Sequence, residues 1–155
     1  MTAAAARAEV VVPATPDDAF RLFTEDIGLW WRRGTPYWND AERAVDLRIE
    51  PGVGGRFVEV HDGEAGTGFE VGRVTAWEPG RRLGVTWTQT GWDGVATDVE
   101  ITFEATSDGT RVRLAHTGFE RVPDGARAVA GYDAGWNEIL GWYAGAAQRR
   151  KEPSR

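Results

Sequence analysis

The sequence predicts an α+β fold in which one strongly bent antiparallel β-sheet wraps around a long C-terminal helix. The middle of the chain alternates apolar and polar residues in several short runs separated by turn sequences, which is typical of consecutive antiparallel strands. From Ala126 the apolar residues instead recur every three or four positions, as in one amphipathic helix. A sheet curved around a helix is expected to leave a cavity between them.

The N-terminal part predicts one strand followed by two short helices. The strand is expected at residues 9–13. Thr15 suits a helix N-cap and Pro16 the first helical position, because a hydroxyl can accept a hydrogen bond from a free backbone N–H and proline has no N–H to satisfy. This helix is expected to end near Glu25, and residues 27–31 to form a second, very short helix.

Six more strands are predicted in series, joined by short turns. Their expected ranges are 44–50, 56–60, 69–77, 83–89, 97–104 and 111–116. Pro79-Gly80 reverses the chain between two of them, because proline fixes φ and glycine tolerates positive φ. Residues 52–55 are glycine-rich, but they precede a strand and lack the lysine of a phosphate-binding loop, so they predict a turn. The final helix is expected at residues 124–149.

Composition limits the function more than it defines it. The length of 155 residues suits a single domain, expected at residues 8–150 between flexible termini at residues 1–7 and 151–155. The net charge of −6 disfavours nucleic-acid binding, and no run approaches the roughly 20 apolar residues of a membrane span. The first residues lack the basic and apolar regions of a signal peptide. Because the chain has no cysteine, a cytoplasmic location is expected.

Residue types needed for several kinds of catalysis are scarce. Lys151 is the only lysine, and Ser107 and Ser154 are the only serines, which strongly disfavours Schiff-base and serine-nucleophile chemistry. The two histidines, His61 and His116, are far apart in sequence, whereas a metal site needs three or four converging ligands. The sequence therefore predicts neither a metal ion nor a cofactor.

An ordered set of short motifs, spread over about residues 9–149, resembles one known superfamily. The set comprises Val12-Pro13, the helix bearing Phe20 and Phe23, Trp30-Trp31, Gly54-Gly55-Arg56-Phe57, Gly72-x-Val74 through Trp87, His116-Thr117-Gly118-Phe119, and Gly135-Trp136 with Leu140. It resembles the START-like (SRPBCC, helix-grip, birch-pollen-allergen-like) superfamily. Within that superfamily, the sequence is similar to the bacterial homologues of the activator of heat-shock protein 90 ATPase.

The resemblance implies a helix-grip fold but leaves the function open, because the superfamily contains ligand carriers, cyclases, dehydratases and co-chaperone domains. The first expectation is a non-catalytic protein that binds a small hydrophobic or amphipathic ligand. The second is a cyclase- or hydrolase-like enzyme acting on an aromatic or polyketide-like substrate. The third is a module that contacts a heat-shock protein 90 type chaperone through its outer surface.

A ligand cavity in this fold is predicted to have an apolar wall and a few polar groups. The expected apolar wall is Phe57, Phe69, Trp77, Trp87, Phe103, Leu114, Tyr132, Trp136 and Leu140. The expected polar groups are His116, Arg73 and Asp133. Asp133 lies within the apolar stripe of the final helix, so it needs a partner such as Arg73. Trp30, Trp31 and Trp38 form either a lid over the cavity mouth or ordinary packing of a short helix.

Three residues have two interpretations each. His116 is either a proton shuttle in the cavity or a buried neutral histidine bonded to backbone. Glu59 is either a general base facing the cavity or a carboxylate at the sheet edge, and His61 beside it is expected in solvent. Trp142, near the glycines at positions 131, 135, 141 and 145, either marks the face of a weak homodimer or packs near Phe23.

Overall fold

One antiparallel sheet of seven strands dominates the structure, a computed structural model that describes residues 5–151. The strands are β1 (Ala6–Val12), β2 (Asp46–Ile49), β3 (Arg56–Asp62), β4 (Thr67–Glu78), β5 (Arg82–Trp87), β6 (Thr97–Thr106) and β7 (Gly109–Thr117). Their order across the sheet is β1-β7-β6-β5-β4-β3-β2. The sheet is therefore a meander from β2 to β7, with β1 added beside β7.

The helices lie where the sequence predicts them. They are α1 (Pro16–Thr24), α2 (Ile27–Trp30) and α3 (Gly125–Lys151), with a short 3-10 helix at Phe119–Arg121 before α3. The curled sheet forms a half-barrel against which the long α3 packs, so the predicted α+β helix-grip architecture is confirmed. No helix within residues 5–151 is long and apolar enough to cross a membrane.

The start of α1 follows from its first residues. Thr15 has an extended backbone, and its Oγ1 accepts a hydrogen bond from the backbone N–H of Asp18 at 3.2 Å. Pro16 occupies the first turn, where a missing N–H costs nothing. The predicted N-cap is therefore present, and it directs the apolar face of α1, with Phe20 and Phe23, towards the sheet.

The first strand begins earlier than predicted. β1 starts at Ala6, within the segment assigned to a flexible terminus, because residues 6–12 pair in register with β7 from His116 to Thr110. An alanine-rich segment gives no strand signal of its own, so its pairing is decided by tertiary contacts. Ala6 and Ala8 are buried, and α3 packs on this strand. Residues 1–4 and 152–155 lie outside the described residues.

One half of the space between the sheet and α3 is solidly filled by aromatic side chains. Phe20 packs on Trp77 and Phe103, with ring centroids 5.0 and 5.3 Å apart. Phe23 contacts Tyr143 of α3 at 5.3 Å, and the Tyr143 hydroxyl donates to the carbonyl of Ala19 at 2.7 Å. Burial raises the pKa of Tyr143. Because α1 fills this half, any ligand space has to lie at the other end of α3.

Candidate functional site

A cavity of about 440 Å³ lies at the other end of α3. Its wall is formed by α3, strands β2 to β5, the loop between α2 and β2, and the loop that follows β5. Eight aromatic side chains line it: Trp31, Tyr37, Trp38, Phe69, Trp87, Trp92, Tyr132 and Trp136. Its size and mostly apolar lining are typical of small-molecule pockets.

Trp87, at the end of β5, is the centre of this aromatic cluster. Its ring centroid lies 5.1 Å from that of Trp136 and 6.4 Å from that of Trp31, both of which also line the cavity. Phe57 packs against Trp87 at 5.6 Å but does not reach the cavity. Trp87 therefore joins the cavity wall to the core of the sheet.

A short chain of hydrogen bonds fixes the polar part of the wall. The Nε1–H of Trp87 donates to the hydroxyl of Tyr132 at 2.9 Å, and that hydroxyl donates to Oε1 of Gln89. Burial raises the pKa of Tyr132 to about 12, against a smaller lowering by the Trp87 hydrogen bond. Tyr132 therefore stays protonated at neutral pH, and its proton is already engaged by Gln89.

His116 lies behind the cavity and does not line it. Its side chain is fully buried, its Nδ1 accepts a hydrogen bond from Nε1 of Trp136 at 3.1 Å, and its Nε2 lies 2.6 Å from Oγ1 of Thr97. Burial lowers the pKa of His116 to about 3. His116 is therefore a neutral histidine that supports Trp136 from behind. Its partners are side chains and not the predicted backbone groups.

Glu59 of β3 is a buried carboxylate on the cavity wall, with 2% of its surface exposed. Oε1 accepts a hydrogen bond from the backbone N–H of Asn39 at 2.6 Å, and Oε2 accepts one from that of Asp40 at 2.8 Å. Nε2 of His61 lies 2.8 Å from Oε2. The sheet-edge interpretation of Glu59 is therefore wrong. The expectation that His61 lies in solvent is also wrong, because 9% of its side chain is exposed.

The loop between α2 and β2 covers the cavity and is held at several points. The indole N–H groups of Trp31 and Trp38 donate to the carbonyls of Tyr37 and Arg32, at 3.1 and 2.7 Å. The side-chain oxygen of Asn39 accepts a hydrogen bond from the backbone N–H of Thr90 at 3.0 Å, which ties this loop to the loop after β5. Two further hydrogen bonds join the backbone of this loop to Glu59. Together these contacts hold the loop, residues 31–45, over the cavity, and we call it the cover loop.

A polar cleft of about 590 Å³ adjoins the cavity. It shares Asn39, Phe69 and Thr90 with the cavity, and His61 lies on its wall. The Glu59–His61 pair therefore lies between an aromatic interior and a polar, more open surface.

Only part of the predicted ligand wall meets this cavity. Phe69, Trp87, Tyr132 and Trp136 line it, and so do Trp31 and Trp38 of the predicted lid. The remaining apolar residues belong to the packed interior: Phe57, Trp77, Phe103, Leu114, Leu140 and Trp30. Alternation along a strand predicts which face of the sheet a residue occupies. It does not predict whether a helix packs against that residue or leaves it facing an open cavity. Whether the wall residues bind a ligand stays a prediction.

The predicted pairing of Asp133 with Arg73 is wrong. Arg73 is exposed on β4, where its Nη2 lies 2.9 Å from a carboxylate oxygen of Glu70. Asp133 is also exposed, and its Oδ1 accepts a hydrogen bond from the backbone N–H of Arg7 at 2.9 Å. Asp133 therefore binds the edge strand β1, which the sequence does not predict to extend this far. Neither residue lines the cavity.

Trp142 is buried, with 7% of its surface accessible, which contradicts the exposed position that the homodimer interpretation requires. Its ring packs on Tyr37 at 5.8 Å, and the guanidinium carbon of Arg32 lies 5.4 Å from its centroid. Trp142 thus packs under the cover loop instead of near Phe23. The weak homodimer that the sequence suggested therefore has no exposed tryptophan at this face, and it stays a prediction.

Several wall residues were not singled out from the sequence, including Tyr37, Asn39, Gln89 and Trp92. All four lie in loops, where no periodicity reports which way a side chain points. The one usable signal was local: four aromatic residues fall between positions 30 and 38. Within residues 5–151, no group of three or more histidine and acidic side chains converges as a metal site would require.

A curled antiparallel sheet, a long C-terminal helix and an aromatic cavity between them define the class of START-like, helix-grip proteins. The sequence matches the family described as Activator of Hsp90 ATPase homolog 1-like protein over residues 13–142. The chain therefore belongs to this family. No curated protein gives a significant match to it.

Solved structures of the same fold cover nearly the whole chain. Protein MLL2253 from Mesorhizobium loti has a TM-score of 0.70 at 23% identity, with 96% of this chain and 99% of that chain covered. Protein NE0264 from Nitrosomonas europaea has a TM-score of 0.69 at 16% identity, with 96% of each chain covered. Txn09, an anthrahydroquino-γ-pyrone synthase solved as a complex, has a TM-score of 0.61 at 30% identity, covering 92% of this chain and 96% of its own.

Proposed function

We propose that the chain binds one small, planar aromatic molecule in the cavity under the loop between α2 and β2. The observation that carries the proposal is the wall itself, where eight aromatic side chains surround a space of about 440 Å³. Flat rings stack on aromatic faces or meet them edge-on, so such a wall favours planar ligands over branched aliphatic ones. The rigid hydrogen bonds of Trp87, Tyr132 and Gln89 support a preformed site.

Isothermal titration calorimetry with 2-naphthol, a neutral bicyclic probe, tests the proposal. We expect a saturable heat with a stoichiometry of one ligand per chain. Absence of saturable binding up to millimolar probe would contradict the proposal. Native mass spectrometry of the protein purified from its own host would then identify a retained physiological ligand by its mass.

A second candidate function is the chemical conversion of such a ligand. Two observations favour it. Txn09, at 30% identity, is by its name a synthase of an aromatic compound. In this chain, Glu59 places a carboxylate on the cavity wall. His116 does not support this candidate, because it lies behind the wall with both ring nitrogens engaged. Contact with a chaperone would use the outer surface and stays a prediction.

A further inference from the structure

Among the described residues on the cavity wall, Glu59 is the one with a carboxyl group. No lysine or arginine lies among them to neutralise its charge. Burying a charge without partners is costly, and its partners are N–H donors: two consecutive backbone groups and His61. Those donors come from the cover loop and from β3 itself. The wall is therefore a set of aromatic faces with one negative group at its edge.

Counting acceptor positions shows what Glu59 can still do. A carboxylate has about four lone-pair positions, two on each oxygen. Oε2 is engaged by Asp40 and His61, whereas Oε1 is engaged by Asn39 alone. One acceptor position on Oε1 is therefore open, on a residue that lines the cavity and has almost no contact with solvent.

Three other side-chain oxygens on the wall are already engaged. Oδ1 of Asn39 accepts a hydrogen bond from Thr90, Oε1 of Gln89 accepts one from Tyr132, and the hydroxyl of Thr88 donates to the carbonyl of Val95 at 2.8 Å. Aromatic faces carry negative partial charge, so they add to the field of the carboxylate. The open acceptor position on Glu59 therefore favours a ligand that donates a hydrogen bond, and its negative charge disfavours an anion.

We infer that the cavity selects planar aromatic ligands that carry an O–H or N–H donor for Glu59, and that it rejects aromatic carboxylates. This inference rests on the proposed function, since it presupposes that the cavity holds an aromatic molecule. A ligand donor fills the open position on Oε1 and completes the hydrogen bonding of Glu59. A ligand carboxylate would instead place a second negative charge beside a buried one.

Three probes with one ring system test the inference by calorimetry: 2-naphthol, 2-methoxynaphthalene and 2-naphthoate. They present a donor, no donor and an anion to the same cavity. One hydrogen bond to a charged acceptor should make 2-naphthol bind roughly ten- to a hundredfold more tightly than 2-methoxynaphthalene. We expect 2-naphthoate to bind more weakly than either neutral probe.

Two variants separate the hydrogen bond from the ligand to Glu59 from the contacts that position the loop over the cavity. They are Glu59→Gln and the control Asn39→Ala. The glutamine replaces the charged acceptor by a neutral amide, so the preference for 2-naphthol should fall to about fivefold or less. Asn39→Ala removes the bond to Thr90 but keeps the Asn39 backbone N–H and the carboxylate. It should weaken both neutral probes by a similar factor and preserve their ratio.

The outcomes distinguish the inference from the function on which it rests. If 2-naphthol and 2-methoxynaphthalene bind equally well to the wild type, the inference is overturned and the aromatic site stands. Tightest binding of 2-naphthoate overturns it as well. If no probe binds, the proposed function fails and the inference with it. Should Glu59→Gln not fold, the ratio measured on the wild type decides alone.

Discussion

Replacing Trp87 by alanine is expected to lower the free energy of unfolding by about 3–5 kcal/mol and to reduce the affinity for 2-naphthol at least tenfold. Trp87 contacts Phe57 in the core and Trp136 on the cavity wall, so its removal leaves a void that its neighbours fill only in part. The same substitution removes the centre of the aromatic wall. Urea denaturation measures the first effect and calorimetry the second.

Trp77→Ala is the matched control. Trp77 also lies in the sheet and packs on Phe20 at 5.0 Å, but it does not line the cavity. We expect this variant to lose stability while its affinity for 2-naphthol stays within about threefold of the wild type. Equal losses of affinity in both variants would contradict the assignment of the site to the Trp87 end of α3. If Trp87→Ala does not fold, Trp87→Phe gives a milder comparison.

Acidification is expected to destabilise the protein through His116. Burial lowers the pKa of this side chain from its ordinary value of 6.5 to about 3. Between these values the unfolded chain binds a proton that the native state does not, so the free energy of unfolding falls as the pH falls. The slope is about 1.4 kcal/mol per pH unit, which amounts to about 3 kcal/mol between pH 6.5 and pH 4. Above about pH 7 the effect vanishes.

The variant His116→Gln isolates this contribution from the titration of carboxylates. Its amide oxygen can accept from Trp136 and its amide N–H can donate to Thr97, but it carries no titratable group. We expect the stability difference between wild type and variant to be constant above about pH 7. Below pH 6.5 it should shift in favour of the variant. Parallel stability profiles from pH 7 to pH 4 would show that His116 is not the origin of the acid sensitivity.

The architecture was predictable because it depends on patterns that extend over many residues. Period-two runs predicted the strands β2 to β7, and Trp136 and Leu140, expected on the apolar face of the last helix, are both buried. The edge strand was harder to find. Ala6 and Ala8 have weak strand propensity, and their pairing with β7 is decided by a partner more than 100 residues away in the chain.

The site was predictable only where a strand or helix carries it. Four predicted residues face the interior and line the cavity: Phe69, Trp87, Tyr132 and Trp136. Which half of the interior α1 fills depends on helix packing, which no local sequence pattern encodes. The environment of Glu59 comes from backbone N–H groups about 20 residues earlier in the chain. Every residue type except proline has a backbone N–H, so the sequence does not show which N–H groups will bind a carboxylate. The sequence therefore favoured a surface position for Glu59, although its carboxylate is buried and makes three hydrogen bonds.

The central claim, that this cavity is the ligand site, is tested most directly by filling it. A Cβ at Gly131 would meet no atom within 4 Å, and Gly131 lies on an exposed part of the cavity wall, so Gly131→Phe brings a ring to the edge of the cavity without a backbone clash. Gly141 of the same helix is equally open but does not line the cavity. Both substitutions remove a helix-interior glycine, which should not lower stability.

We therefore predict that Gly131→Phe abolishes the binding of 2-naphthol and that Gly141→Phe leaves it unchanged, with both variants folded at least as stably as the wild type. Calorimetry of the two variants and the wild type under identical conditions provides the comparison. Nuclear Overhauser contacts between the new ring and Tyr132 show whether the ring occupies the cavity. Unchanged affinity in a folded Gly131→Phe variant with those contacts would contradict the claim, because its ligand must then bind elsewhere.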